Sequence, residues 1–229
     1  MQHYKDFVAL AHRHKIKIIQ DVVCNHIGPL FYYDDNQNGQ FDAETKSEWI
    51  SSFHKSGIYS NATWINRPEW NLVRPTTTTS LEIFGTPIGV SGVLGDFSVY
   101  GRKGFSDDSL GKSDGEEITC DFFALRDFDT SKDSPHFDKL VDEFVEIYRF
   151  YIEEIGIDGL RVDTVKHVHH EFWDAFTHRL RSKLGDRAKD LLIFGEVYDG
   201  SPKALGKYTY RTDSAKNSAP DLAQAFSCR

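Results

Sequence analysis

The chain has 229 residues, a 39% hydrophobic content and a net charge of −8. That suits one globular domain, or one domain with an inserted lobe, and the acidic balance excludes a general affinity for nucleic acid. No apolar run is long enough to cross a membrane, and the three cysteines, Cys24, Cys120 and Cys228, suggest no disulfide framework.

Tyr4, Phe7, Val8 and Ala11 recur at helical spacing and predict an amphipathic helix over 3–14. Ile16 to Val23 follows as an apolar strand, so the chain opens on the αβ half of an α/β fold. Cys24 lies in that strand and reads as a small buried hydrophobe.

Residues 27 to 118 hold most of the Gly, Asn, Ser and Thr and show weak periodicity. The run Arg74 to Ser80 and the glycine-spaced stretch 85–104 mark turns and short strands. A structureless loop of this length is improbable, so a small irregular β-rich lobe is expected. It contains a glycosylation sequon, Asn61-Ala62-Thr63, meaningful only for a eukaryotic secretory source.

Regularity returns at Ser134-Pro135, which predicts a helix start with Ser as N-cap and Pro at the first helical position. Phe137, Leu140, Val141, Phe144, Tyr148, Tyr151, Ile152 and Ile155 form one apolar face, and Gly156 closes the helix. Ile157 to Val162 predicts a strand. Phe172, Trp173, Phe176, Leu180 and Leu184 predict another helix closed by Gly185, Leu191 to Phe194 a third strand, and Pro220 to Phe226 offers a fourth. Helices alternating with strands predict a parallel sheet. The fold class is α/β: a partial (β/α)8 barrel over 1–26 and 119–229, with the lobe 27–118 inserted after the first strand. Without the lobe, about half of the roughly 250 residues of a closed barrel are present.

Strand ends carry the chemistry. Asp163 and Glu196 end two different strands. Two facing carboxylates are the minimum equipment for splitting a glycosidic bond: one attacks the anomeric carbon, and the other protonates the leaving oxygen and then activates water. Carboxylates at strand ends also serve as structural salt bridges. Arg161 favours catalysis, because it stands two residues before Asp163 on the same strand face and a cation beside a nucleophile keeps it ionised. Glu196, between Phe194 and Val197 in nearby sequence, is expected in apolar surroundings that favour its protonated form. Lys166 and His167, just after Asp163, can donate hydrogen bonds to sugar hydroxyls, as can His26; each also has an ordinary reading as a solvated or structural group. Histidines at several strand ends do not make a zinc site, since no His-x-x-x-His pair is present.

Asn25 and Asp127 are hard oxygen donors suited to calcium. A second calcium candidate is the loop Asp34 to Gly39, with Asp34, Asn36 and Asn38 as donors. It matches the first half of an EF-hand loop, but Thr45 stands where the closing Glu is required, so an Asx-rich turn is the competing reading.

At these residues the sequence closely resembles the α-amylase family of glycoside hydrolases. Asp21 to His26 is similar to the family's first motif, Gly159 to His167 to the second, and Gly195-Glu196-Val197 to the third. Ala124 to Asp129 resembles, in degenerate form, the short motif near the end of the family's lobe, with Arg126 in place of the usual Pro. The resemblance implies a (β/α)8 barrel, Asp163 as nucleophile, Glu196 as acid and base, and Asp127 as a calcium ligand. The Lys166-His167 pair resembles enzymes acting on α-1,4-glucans such as starch and maltodextrins. Transglycosylases and cyclodextrin-opening enzymes share the same core, and some relatives keep the fold only to bind sugars, having lost the carboxylates.

The family's fourth motif, a His-Asp pair with the third catalytic carboxylate, has no counterpart after Glu196. The expectation is therefore a central fragment of a longer enzyme, inactive by itself. The parent is compatible with a secreted or periplasmic location.

Overall fold

The computed structural model describes residues 1–28, 32–34, 71–73, 82–83, 86–87, 92–101, 118, 121, 125–208 and 224–226. The chain divides into two compact units: Met1–Asn25 with Thr130–Arg229, and His26–Asp129. The second unit is thus contiguous in sequence and runs eleven residues past the expected lobe end at 118.

The first unit is built on four parallel strands, β1 (Ile19–Val22), β2 (Gly159–Val162), β3 (Leu192–Glu196) and β4 (Gln224–Phe226), in the order β1-β2-β3-β4. Each follows a helix: α1 (Gln2–Arg13), α2 (Phe137–Phe150), α3 (His170–Leu184) and α4 (Pro202–Gly206). Parallel neighbours need a crossover, and helices supply it. In register, Asp21 stands opposite Arg161, Arg161 opposite Phe194, and Phe226 opposite Glu196. The alternation of helix and parallel strand is the α/β pattern of a partial barrel.

The core lies between the sheet and α2 and α3. Leu140, Val141, Phe144, Val145 and Tyr148 from α2 are buried, as are Phe172, Trp173, Phe176 and Leu180 from α3. Aromatic edges meet aromatic faces here: Phe144 and Phe172 are 6.0 Å apart at 81°, and Tyr148 and Phe176 are 5.9 Å apart at 89°. These geometries suit the ring quadrupoles. Leu160, Val162 and Ile193 complete the apolar layer from the sheet.

Helix α2 starts at Phe137, later than the expected Ser134-Pro135. The Ser134 carbonyl accepts the Phe137 N–H (3.1 Å) and its hydroxyl accepts the His136 N–H (3.3 Å), so Ser134 makes a turn ahead of the helix. At its other end α2 continues through a π-helical turn, Tyr151–Ile155, stopped by Gly156 at φ 91°, where a side chain would be strained. Gly159 opens β2 for a different reason: a Cβ there would stand 2.8 Å from the Leu192 carbonyl oxygen of β3.

The second unit contains short antiparallel pairings: 26–27 with 126–127, 32–34 with 71–73, and 82–83 with 86–87. Tyr100 bridges to Phe128, and their rings stack at 4.8 Å. A fully buried ion pair, Arg126 to Asp121 (2.7 Å), lies beside them in sequence, and Asp121 also accepts the Asp127 N–H at 3.0 Å. No described helix is long and apolar enough to cross a membrane.

Candidate active site

Arg161 sits in the third position of β2, where its side chain and that of Asp163 leave the same face of the chain. Its Nη1 donates to Asp163 Oδ1 at 2.9 Å and to Asp21 Oδ1 and Oδ2 at 2.8 and 2.9 Å. Its Nη2 donates to Glu196 Oε2. One guanidinium therefore joins carboxylates from three neighbouring strand ends. The Asp163 N–H continues the ladder to the Val22 carbonyl at 2.9 Å, which fixes where the nucleophile candidate emerges.

These groups are unequal in exposure. Asp163 is 26% exposed and Glu196 18%, whereas Asp21 is 62% exposed. Burial works against the Arg161 charge, but the bond and charge of Asp21, with the charges of Glu196 and Asp163, hold its pKa above the ordinary arginine value. The cluster is thus a permanent cation clamped among acids. The apolar setting expected for Glu196 is only half present: Phe194 shares its strand face, while Val197 turns to the buried side and Arg161 takes the facing position. Strand alternation is the reason, since neighbours in sequence point to opposite faces.

After Asp163 the chain makes a left-handed turn at Thr164 and a 3-10 turn over Val165–His167. Lys166 Nζ reaches the Tyr198 carbonyl just beyond β3 at 3.3 Å. His167 is buried, with its N–H on the Thr164 carbonyl at 3.0 Å. Trp173 Nε1 donates to the Val165 carbonyl at 3.0 Å and pins the turn to α3.

The remaining candidates are placed as follows. Asn25 is fully buried at the end of the first unit. His26 and Asp127 are register partners in the second unit, His26 half-buried and Asp127 buried. Asp34 ends the short strand 32–34; its side chain and the residues Asn36 and Asn38 lie outside the described residues. Among the described residues no group of three or more His, Cys, Asp or Glu side chains could hold a metal ion. Asn25 and Asp127 lie in different units and are each of the hard-oxygen donor type. Cys24 is fully buried, and burial pushes its thiol far up, which removes it from nucleophilic roles.

Sequence reasoning passed over Asp21 and Tyr198. Asp21 opens the first motif, yet its bond to Arg161 depends on the β1–β2 register. Tyr198, an exposed aromatic two residues past Glu196, carried a signal in its position alone.

Residues 116–220 match the family described as "Alpha amylase, catalytic domain". The α-amylase of Streptomyces lividans is 27% identical over 218 residues, covering 89% of this chain and 21% of that protein. The β/α-amylase of Paenibacillus polymyxa is 23% identical, covering 94% and 12%. Over these residues the chain is similar to the α-amylase family. An Anoxybacillus α-amylase structure superposes with a TM-score of 0.50 at 19% identity, over 90% of this chain and 30% of that one, which shows the shared fold. The chain spans about a fifth of the length of its Streptomyces relative.

Proposed function

We propose that the protein is a retaining glycoside hydrolase acting on α-1,4-glucans such as starch or maltodextrins. The observation that carries this reading is the Arg161 guanidinium joining Asp163 and Glu196 at adjacent strand ends. Retaining enzymes hold their two carboxyl groups about 5–5.5 Å apart, and two acids sharing one guanidinium suit that close spacing better than the wider one of inverting enzymes.

In the first step Glu196 gives its proton to the glycosidic oxygen while an Asp163 oxygen bonds to the anomeric carbon. The glycosidic bond breaks and the leaving sugar departs with the proton. In the second step Glu196, now a carboxylate, takes a proton from water; the water oxygen attacks the anomeric carbon and frees Asp163. Arg161 keeps negative charge on Asp163 between turnovers. Its contact with Glu196 gives way as the glycosidic oxygen takes that place. Lys166, held toward Tyr198, supplies a donor beside the nucleophile.

Proton NMR of the first product from a maltooligosaccharide tests the mechanism in the full-length protein. An initial α-anomer is expected, and an initial β-anomer excludes retention. Asp163→Asn cannot form the covalent intermediate and should lower kcat by about 10⁴-fold or more; a near-normal rate removes Asp163 from the role.

Calcium, in this reading, would be held by Asn25 and Asp127, whose oxygen chemistry supports it. An ion that binds only the folded state raises apparent stability. The melting temperature of the full-length protein should therefore fall on adding a chelator and recover with calcium; an unchanged value contradicts the site. The loop Asp34 to Asn38 would be a separate, weaker site.

A further inference from the structure

Among the described residues two non-glycine positions have positive φ, Lys15 at 60° and Thr164 at 52°. Lys15 is exposed where α1 ends. Thr164 is a different case: it is β-branched, 9% exposed, and its hydroxyl is buried without a hydrogen-bond partner among the described residues. A β-branched side chain in the left-handed region is a true outlier, and an orphaned buried hydroxyl adds a second cost. Such combinations persist only where the surroundings over-determine them, and they cluster at functional sites.

The surroundings do over-determine this one. Before Thr164, the Asp163 N–H is tied to the Val22 carbonyl at 2.9 Å. At Thr164 itself, the carbonyl accepts the His167 N–H at 3.0 Å. After it, the Val165 carbonyl accepts Trp173 Nε1 at 3.0 Å. The chain is thus held on both sides of one unfavourable residue, immediately beyond the carboxylate that contacts Arg161.

We propose that Thr164 is a positioning residue for Asp163. Its left-handed turn ends β2 at the nucleophile, and the tethers on both sides hold the residue in that turn. Glycine would reach the same φ without strain but would populate both signs of φ freely. Threonine is stiff at χ1 and restricts the backbone where glycine does not. Because the hydroxyl has no partner to lose among the described residues, shape rather than hydrogen bonding is what the residue contributes. The inference rests on Asp163 being the nucleophile.

The test compares Thr164→Gly, Thr164→Ala and Thr164→Val in the full-length protein, with Asp163→Asn as control and a chromogenic maltooligosaccharide as substrate. Thr164→Gly should lower kcat about 10- to 100-fold, since a small misplacement of a reacting group costs that much, while KM moves less than about twofold. Thr164→Ala should fall between, and serves if the glycine variant does not fold. Thr164→Val should keep kcat within about threefold, because an unpartnered hydroxyl is replaced by an isosteric methyl. A glycine or alanine variant with normal kcat overturns the proposal, as does a loss confined to KM. Valine as damaging as glycine also overturns it, since the hydroxyl would then matter. If Asp163→Asn is inactive and Thr164→Gly is normal, only the positioning role fails. If Asp163→Asn retains its rate, the nucleophile assignment fails and takes this role with it.

Discussion

At the scale of single residues the site turns on Arg161. Its planar fork reaches Asp163 and Asp21 with one nitrogen and Glu196 with the other. A lysine carries the same charge but has a single ammonium on a flexible stem, so it cannot bridge three acids in fixed geometry. Arg161→Lys should therefore lower kcat/KM by about 100-fold or more through lost orientation. Steady-state kinetics on a maltooligosaccharide check this, and a variant within threefold of the parent would show the clamp to be dispensable. The pair Arg161 and Asp163 was legible from spacing, since residues two apart in a strand share a face. Asp21 was not, because nothing in the local sequence says which residue of β1 stands opposite Arg161.

At the scale of elements, the entry to β2 is tied down by Asp158. Its carboxylate takes Lys17 Nζ, the Ile18 N–H and His12 Nε2, all at 2.8 Å. Burial alone would raise the Asp158 pKa; the Lys17, Ile18 and His12 bonds outweigh it and bring it from 3.8 down to about 2. A carboxyl depressed in the folded state stabilises folding above its unfolded value, and that contribution is lost as pH falls through the folded one. Asp158→Asn should thus cost on the order of 1–2 kcal/mol near neutral pH. The difference from the parent should shrink between pH 4 and pH 2, the window bounded by the two values. Urea midpoints across that range decide it, and a difference that persists at pH 2 refutes the linkage. Helices α2 and α3 were readable from their apolar periodicity, which the buried positions match closely. The start of α2 was not, because the backbone and hydroxyl of Ser134 closed a turn in place of a cap.

At the scale of the whole molecule, the described apolar surface is uneven. Phe7, Leu10, Ile16 and Ile19, on α1 and at the start of β1, are each between 45% and 55% exposed. Among the described residues β1 is also an edge of the four-stranded sheet. An edge strand flanked by exposed apolar side chains is a template for association. Residues 1–229 should accordingly self-associate. Size-exclusion chromatography over a range of concentrations is the check; a monomer throughout overturns the expectation.

Local sequence by itself determined the α/β alternation, the resemblance to the α-amylase family, and the placement of Asp163 and Glu196 at strand ends, because periodicity and short motifs are properties of consecutive residues. Tertiary structure alone decided the rest. The Asp21–Arg161 bond needs the β1–β2 register, the Arg161–Glu196 bond needs β3 beside β2, and the left-handed Thr164 needs tethers from Val22 and Trp173. All three depend on at least one contact between residues far apart in the chain, where loop closure and packing, rather than local preference, select the partner.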